Sequence, residues 1–267
     1  MPITFPIAPR PITREEFTEL DYRITRLAYD SHNALGRLCD EEIYQSDLAA
    51  RIEAAGLGPV RKEMTITVSH RDFAKFYFLD MVACDAAIYE LKTSTRLVTE
   101  HENQLLNYLF LWGAQHGKLL NFRPVQVETR FVNTKLTPES RKRFEINLDR
   151  WQEFNETSET LRKIFVALLE DWGAFLDFAL YTEAITHFFG GESAVSRMVP
   201  LNREGVALGN QRMHLLNAES AFRVTAMTKG SAQFENQLNS LLRLTPIKNL
   251  YWINLNHHQI EFVTLRK

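Results

Sequence analysis

Two apolar runs, each interrupted by charged residues, constrain this chain more than anything else in it. Residues 76–84, FYFLDMVAC, carry Asp80 near their centre; residues 86–92, AAIYELK, carry Glu90 and Lys92. Alternate residues of a strand share a face, so Ile88, Glu90 and Lys92 point the same way. Their neighbours are apolar, as expected of a sheet covered on both faces. A charge buried there is costly unless it is paired or binds something. Asp85 and Ala86 between the runs suit a hairpin that lays Asp80 beside Glu90. Two converging carboxylates suit a hard cation, with positions left for water and phosphate oxygens. Such a cation polarises a phosphate and acidifies a bound water. Lys92 is placed to orient that water or to offset charge on phosphorus. The alternative is a buried ion pair of Lys92 with Glu90 or Asp80 that only shapes the core.

The rest of the chain reads as alternating helices and strands. Four prolines within the first eleven residues give an extended arm. Thr13 with Glu16 has capping-box spacing and predicts a helix that stops near Gly36, with Leu20, Ile24, Leu27 and Ala28 as its apolar stripe. A second helix is expected over about 40–55. Strands are expected at 64–68, 76–84 and 86–92. Thr99 with Glu102 predicts another capping box, opening a helix to about His116 that Gly117 ends. Gln104 and Tyr108, four apart, lie on one face of it. Strands follow at 119–122 and 125–132. His32, His101 and His116 have no ligand spacing and read as surface or cap residues.

From Asn133 the composition turns polar. The expected domains are 1–135 and 160–267, with a polar linker at 136–159. The triplet Arg141-Lys142-Arg143 reads as a solvated linker face, with contact to a phosphate backbone as the alternative. A single long helix is expected from Thr160 towards Phe189, stopping at Gly190-Gly191, and a further helix near 233–244.

The second half echoes the first. Glu102-Asn103-Gln104-Leu105 recurs as Glu235-Asn236-Gln237-Leu238, an offset of 133 residues. The same offset takes Leu119-Leu120-Asn121-Phe122 to Trp252-Ile253-Asn254-Leu255, and Gln126-Val127-Glu128 to Gln259-Ile260-Glu261. Matches in one register indicate two copies of one fold. At this offset Asp80 falls on Met213, Glu90 on Arg223, Lys92 on Thr225 and Tyr108 on Leu241, so the second copy lacks the charged set and suits a structural or binding role.

Composition narrows the partners. A net charge of −2 gives no global basic field, so nucleic acid would have to be held by a local patch. Two cysteines make no disulfide framework, and no apolar run approaches the roughly 20 residues that span a membrane. The N-terminus shows no signal-type apolar region. A reduced, cytoplasmic location and no membrane partner are expected.

Asp80, nine intervening residues and Glu90-Leu91-Lys92 resemble the signature of the PD-(D/E)XK nuclease superfamily, and Gln104-x-x-x-Tyr108 is similar to the motif of its RecB-like branch. Over about Arg23 to Val132 the chain resembles the GxxExxY family within it. There, Leu35-Gly36 and Glu41-Glu42-Ile43-Tyr44 align with a helix carrying Gly-x-x-Glu-x-x-Tyr, although the motif glycine is Leu38 here. Residues 199–206 resemble the hairpin that precedes that family's Asp strand. The resemblance implies an α/β fold, a restriction-endonuclease-like mixed β-sheet flanked by helices, in two tandem copies with the second degenerate. It implies Asp80, Glu90, the Leu91 carbonyl and Glu41 as metal ligands for Mg2+ or Mn2+, and Lys92 as the catalytic lysine. Gln104 and Tyr108 would position the substrate or the lysine, with Tyr44 lining the site or packing the core. The expected activity is divalent-metal-dependent hydrolysis of phosphodiester bonds, with DNA as substrate, by a metal-activated water. The alternative is a non-catalytic module that binds nucleic acid or protein. Both a monomer with pseudo-dimeric halves and a homodimer fit.

Overall fold

The computed structural model describes residues 2–267. The backbone divides into two units: the chain up to Ser69 together with Ala74–Ser140, and His70–Phe73 together with Arg141–Lys267.

In the first unit the elements run β1 (Ile3–Thr4), α1 (Arg14–Leu35), α2 (Glu41–Ala54), β2 (Val60–His70), β3 (Phe73–Ala83), β4 (Ala87–Lys92), α3 (Thr99–Trp112), β5 (His116–Asn121), β6 (Glu128–Asn133) and α4 (Pro138–Arg141). The capping box at the start of α1 is formed in both directions: Glu16 N–H donates to Thr13 Oγ1 at 3.2 Å and Thr13 N–H to Glu16 Oε2 at 2.8 Å. Gly36, at φ 72°, closes the helix as expected. The six strands form one sheet in the order β1-β2-β3-β4-β5-β6, with β4 and β5 parallel. Ala87 to Leu91 are buried without exception, as an apolar run covered on both faces requires. Met81, Tyr89 and Leu91 pack with Ile24, Leu48 and Ile52 of α1 and α2. Lys118 Nζ donates to Asp21 Oδ2 at 2.6 Å and Thr25 Oγ1 at 2.7 Å, a buried pair tying β5 to α1.

Several boundaries differ from expectation. α3 ends at Trp112, because Gly113 at φ 82° provides the left-handed cap. Gly117 lies inside β5, where a Cβ would sit 3.1 Å from Leu105 Cδ1; its role is close approach of α3 to the sheet. Thr99 is helical and not the cap. His101 Nδ1 accepts from Val98 N–H instead, while Glu102 pairs with Arg130. His32 is buried against the Pro124 carbonyl at 3.1 Å and is no surface residue; His116 stacks on Phe17.

The second unit contains β7 (Glu145–Arg150), α5 (Glu156–Trp172), α6 (Phe178–Phe188), α7 (Glu192–Val195), β8 (Ser196–Arg203), β9 (Val206–Asn217), β10 (Ser220–Thr225), α8 (Ser231–Leu244), β11 (Asn249–Asn256) and β12 (Gln259–Arg266). Its sheet order is β7-β12-β11-β10-β9-β8, with β10 and β11 parallel. The single long helix of the sequence reading is two helices. Gly173 at φ 78° caps α5, and the Asp177 side chain caps α6 by accepting from Ala179 N–H at 3.0 Å. Residues 136–159 are not a bare linker, since they carry α4 and β7, and β7 pairs with β12. Arg141 is buried and donates from Nη1 to the Trp172 carbonyl at 2.7 Å, an acceptor at the end of α5. That makes the first member of the basic triplet structural, neither solvated nor free for phosphate.

The two sheets share their register. Ile88↔Gly117 through Lys92↔Asn121 in the first become Ala221↔Leu250 through Thr225↔Asn254 in the second, each shifted by 133 residues. A buried polar belt repeats with them. Asn121 Nδ2 donates to the Ser94 carbonyl at 2.9 Å and Glu128 Oε2 at 3.1 Å. Asn254 Nδ2 donates to the Met227 carbonyl at 3.0 Å and Glu261 Oε2 at 3.1 Å. Tyr44 Oη donates to the Gly36 carbonyl, and Tyr181 Oη to the Gly173 carbonyl in the same way. Both units are mixed α/β layers that share a five-stranded order, β2-β3-β4-β5-β6 and β8-β9-β10-β11-β12, while the sixth strand differs: β1 joins β2 in the first and β7 joins β12 in the second.

Candidate active site

The turn after β3 holds Cys84 and Asp85 at φ 55° and 52°. Asp85 is anchored by Arg61, whose Nε and Nη2 reach its two oxygens at 2.6 and 3.3 Å. This fixes the register of β3 on β4: Ala83↔Ala87, Val82↔Ile88, Met81↔Tyr89. The next pair would be Asp80 with Glu90, but there the strands part. Asp80 Oδ2 fills the gap by accepting from Leu91 N–H at 2.8 Å. The N–H and C=O of one strand residue point to the same side, so the Leu91 carbonyl also faces the gap.

Lys92 gathers the acids. Its Nζ lies 2.8 Å from Glu90 Oε1, 3.7 Å from Asp80 Oδ2 and 3.9 Å from Glu41 Oε1. Glu41 is the first residue of α2, where the exposed N–H groups of the helix favour a carboxylate. The acids outnumber the ammonium, and burial adds to the imbalance. Burial first, then the neighbouring Asp80, pushes Glu90 up to about 8. Burial likewise raises Asp80 and Glu41. Burial works against charge on Lys92 as well, but Glu90, Asp80 and Glu41 outweigh it and hold the ammonium above its usual range. At neutral pH the cluster therefore keeps a proton on Glu90 beside a charged Lys92. Glu90 Oε2 is buried and has no hydrogen-bond partner among the described residues. An unpaired buried carboxylate oxygen beside Asp80 fits, once ionised, the donor set a hard cation takes. Among the described residues no three Asp, Glu, His or Cys side chains form a ready-made cage, and the Lys92 ammonium lies among the acids.

Residues 18–132 match the family model of the PD-(D/E)XK nuclease superfamily. The match starts in α1 and ends in β6, so it encloses the whole carboxylate cluster; residues 133–267 lie outside it. A solved structure, "Crystal structure of SSO0001", aligns over 45% of this chain and 62% of its own at 18% identity, with a TM-score of 0.28. The chain thus spans about three-fifths of the length of that protein. No curated protein gives a match.

The other residues singled out in the sequence divide in two. Gln104 and Tyr108 come together, with Gln104 Nε2 donating to Tyr108 Oη at 3.0 Å. Burial raises Tyr108, and the fields of Glu90, Asp80 and Lys92 reach it, which places this helix face at the cluster. Tyr44 does not line the site; it is fully buried and stacks on Phe122 at 4.5 Å. Two further residues were not legible in the sequence. Gln45 Nε2 donates to the Asp80 carbonyl at 2.6 Å and to Glu63 Oε1 at 2.7 Å, pinning the strand that presents Asp80. Glu63, a non-glycine residue at φ 51° within β2, adds its charge to the field acting on Asp80 and Glu41. Gln45 follows Tyr44 directly and shares the first turns of α2 with Glu41, the one hint the sequence offered.

Proposed function

We propose that the first unit is a divalent-metal-dependent nuclease that hydrolyses phosphodiester bonds, with DNA as substrate and Mg2+ or Mn2+ as cofactor. The reading is carried by Asp80 and Glu90 meeting where β3 and β4 part, with Glu90 Oε2 left unpaired. Asp80, Glu90 and the Leu91 carbonyl would hold the cation, with Glu41 reaching it from α2. A cation bound there supplies Lewis acidity to the phosphate and lowers the pKa of a water. Asp80 keeps its hydrogen bond to Leu91 N–H and so holds its carboxylate in place. Glu90 would have to be ionised to hold the cation. Lys92, with Nζ 2.8 Å from Glu90 Oε1 and 3.7 Å from Asp80 Oδ2, would donate hydrogen bonds to the attacking water or a phosphoryl oxygen. Gln104 and Tyr108 position the strand backbone through their amide and hydroxyl. No helix among the described residues is long and apolar enough to cross a membrane.

The test is cleavage of linear and circular, single- and double-stranded DNA with Mn2+ or Mg2+, comparing wild type with Glu90→Ala. Metal-dependent loss of substrate with wild type alone supports the reading. Equal cleavage by both proteins sinks the site assignment. A second reading has its own observation: Lys92 already neutralises part of the cluster from its centre, as in a structural ion pair. On that reading the unit is a non-catalytic module for nucleic acid or protein, and it does not saturate with Mn2+.

A further inference from the structure

The shared register makes it possible to see what the second unit carries at the place of the cluster. β9 pairs with β10 through Ala221↔Leu215 and Phe222↔His214. The next pair would be Met213 with Arg223, the positions of Asp80 and Glu90 shifted by 133, and there these strands also part. Met213 is buried among Val199, Ala221, Leu238 and Leu242. Thr225, at the position of Lys92, is buried with its hydroxyl bonded to Asn254 Oδ1 and Trp252 Nε1. Arg223, at the position of Glu90, is exposed, the single exposed residue of β10. The site has therefore lost its acids and its lysine and gained a guanidinium: its charge is reversed.

Arg223 does not stand alone. Arg197 is the register partner of Met213, so it shares the face of Met213 and Arg223. Arg212 precedes Met213 and starts on the other face of β9, but both Arg212 and Arg223 act on the charge of His214, against the single acid Glu192. All three arginines are exposed, and none makes an ion pair among the described residues. Arg197 bonds only the Ala194 carbonyl at 3.2 Å and Arg212 the Ser196 hydroxyl at 3.4 Å, both weak local contacts. From Val206 to Arg212 β9 is exposed on both faces, and beyond the pair of buried Val199 with Gln211 the two strands project as a ribbon with Arg203 near its tip. Between 196 and 223 the acids are Glu204 and Glu219, and Glu219 is paired with Lys248. In a chain of net charge −2, this is a local basic surface at the position where the first unit presents its acids.

We propose that the fork of β9 and β10, with its ribbon, binds the phosphodiester backbone of a nucleic-acid strand through Arg223, Arg197 and Arg212. Guanidinium groups suit phosphate oxygens by planar paired donors, and a two-stranded ribbon has dimensions that fit a nucleic-acid groove. The choice of a nucleic acid among polyanions rests on the nuclease reading of the first unit. The second unit then anchors the substrate while the first performs the chemistry.

The experiment is binding of fluorescein-labelled 20-mer DNA and RNA, single- and double-stranded, to the full chain by anisotropy in EDTA, as a function of salt. The probe set is run with wild type and with the triple variant Arg197→Ala, Arg212→Ala, Arg223→Ala. Each phosphate contact contributes about 0.7 to 0.9 to the slope of log affinity against log salt. The triple variant should lose about 2 units of slope and at least about tenfold in affinity at 100 mM salt. Native-state hydrogen exchange of the β10 and β11 amides of the variant should match wild type, which certifies that the second unit folds. Unchanged affinity and slope overturn the proposal, as does wild type that binds none of the probes at 50 mM salt. A variant that changes only self-association in sedimentation also overturns it, assigning the surface to a second copy. Absence of cleavage by wild type would sink the reading of the first unit and leave arginine-dependent binding standing, so the two failures are distinguishable.

Discussion

Replacing Lys92 by methionine tests the electrostatics of the cluster on its own. The ammonium stands 2.8, 3.7 and 3.9 Å from three carboxylates, and its side chain is 13% exposed while that of Glu90 is 1% exposed. At an effective dielectric near 20, one such pair is worth about 4 kcal/mol before desolvation. Removing one partner of a buried pair costs about 3–5 kcal/mol, because the other is left uncompensated. Glu90 limits the loss at neutral pH, since it already retains its proton there. We expect a loss of about 3 kcal/mol at pH 7 in EDTA and a larger loss at pH 8.5, where Glu90 ionises. Native-state hydrogen exchange of β4 amides reads this in the first unit without interference from the second. A divalent cation takes the place of the missing ammonium, so Mn2+ at 100 times its dissociation constant should return about 2.7 kcal/mol. A loss below about 1 kcal/mol, or a variant indifferent to Mn2+, would refute the reasoning.

Other consequences follow from the same geometry. Glu90 is raised from 4.5 to about 8 in the fold, so its contribution to stability is fully present below pH 4.5 and lost as pH rises towards 8. In EDTA the wild-type melting temperature should fall across this window, by up to about 1.4 kcal/mol per pH unit in free energy, and Glu90→Gln should flatten the curve. An equal slope in both proteins would count against the assignment. Gln45→Leu removes the donor to the Asp80 carbonyl and Glu63, and should weaken Mn2+ affinity several-fold by calorimetry while leaving the fold intact. Gln104→Ala should raise the KM for DNA and leave Mn2+ affinity unchanged. Asn254→Ala strips the buried acceptor and donor that hold Met227 and Glu261, and should destabilise the second unit by about 2–3 kcal/mol in urea unfolding.

The convergence of Asp80 and Glu90 was legible because two apolar runs of strand length, joined by a short turn, admit one pairing that buries both. The repeat was legible for a related reason: Asn121 and Asn254 stand at matched positions because the same buried belt demands the same amide. What escaped the sequence depends on tertiary packing. A lone Gly173 within an apolar helical pattern costs only about 1 kcal/mol, so nothing local separates a helix that continues from one that ends. Its left-handed φ and the Tyr181 hydroxyl on its carbonyl decide the matter. β7 carries two apolar residues in EINLDR and is recruited by the edge of β12, so its composition resembled a linker. Arg141 looked solvated because its acceptor, the Trp172 carbonyl, is 31 residues away. Glu63 owes its place to a left-handed backbone inside a strand, which no side-chain pattern announces.

The nuclease reading requires Asp80 and Glu90 to form a cation site. Calorimetric titration of the metal-free full chain with Mn2+, beside Glu90→Ala, tests it most directly. The account predicts saturable binding by wild type that Glu90→Ala abolishes, with proton release on binding at pH 7. Failure of wild type to saturate, or binding of equal strength by Glu90→Ala, would contradict it and leave Lys92 and its acids as a structural ion cluster.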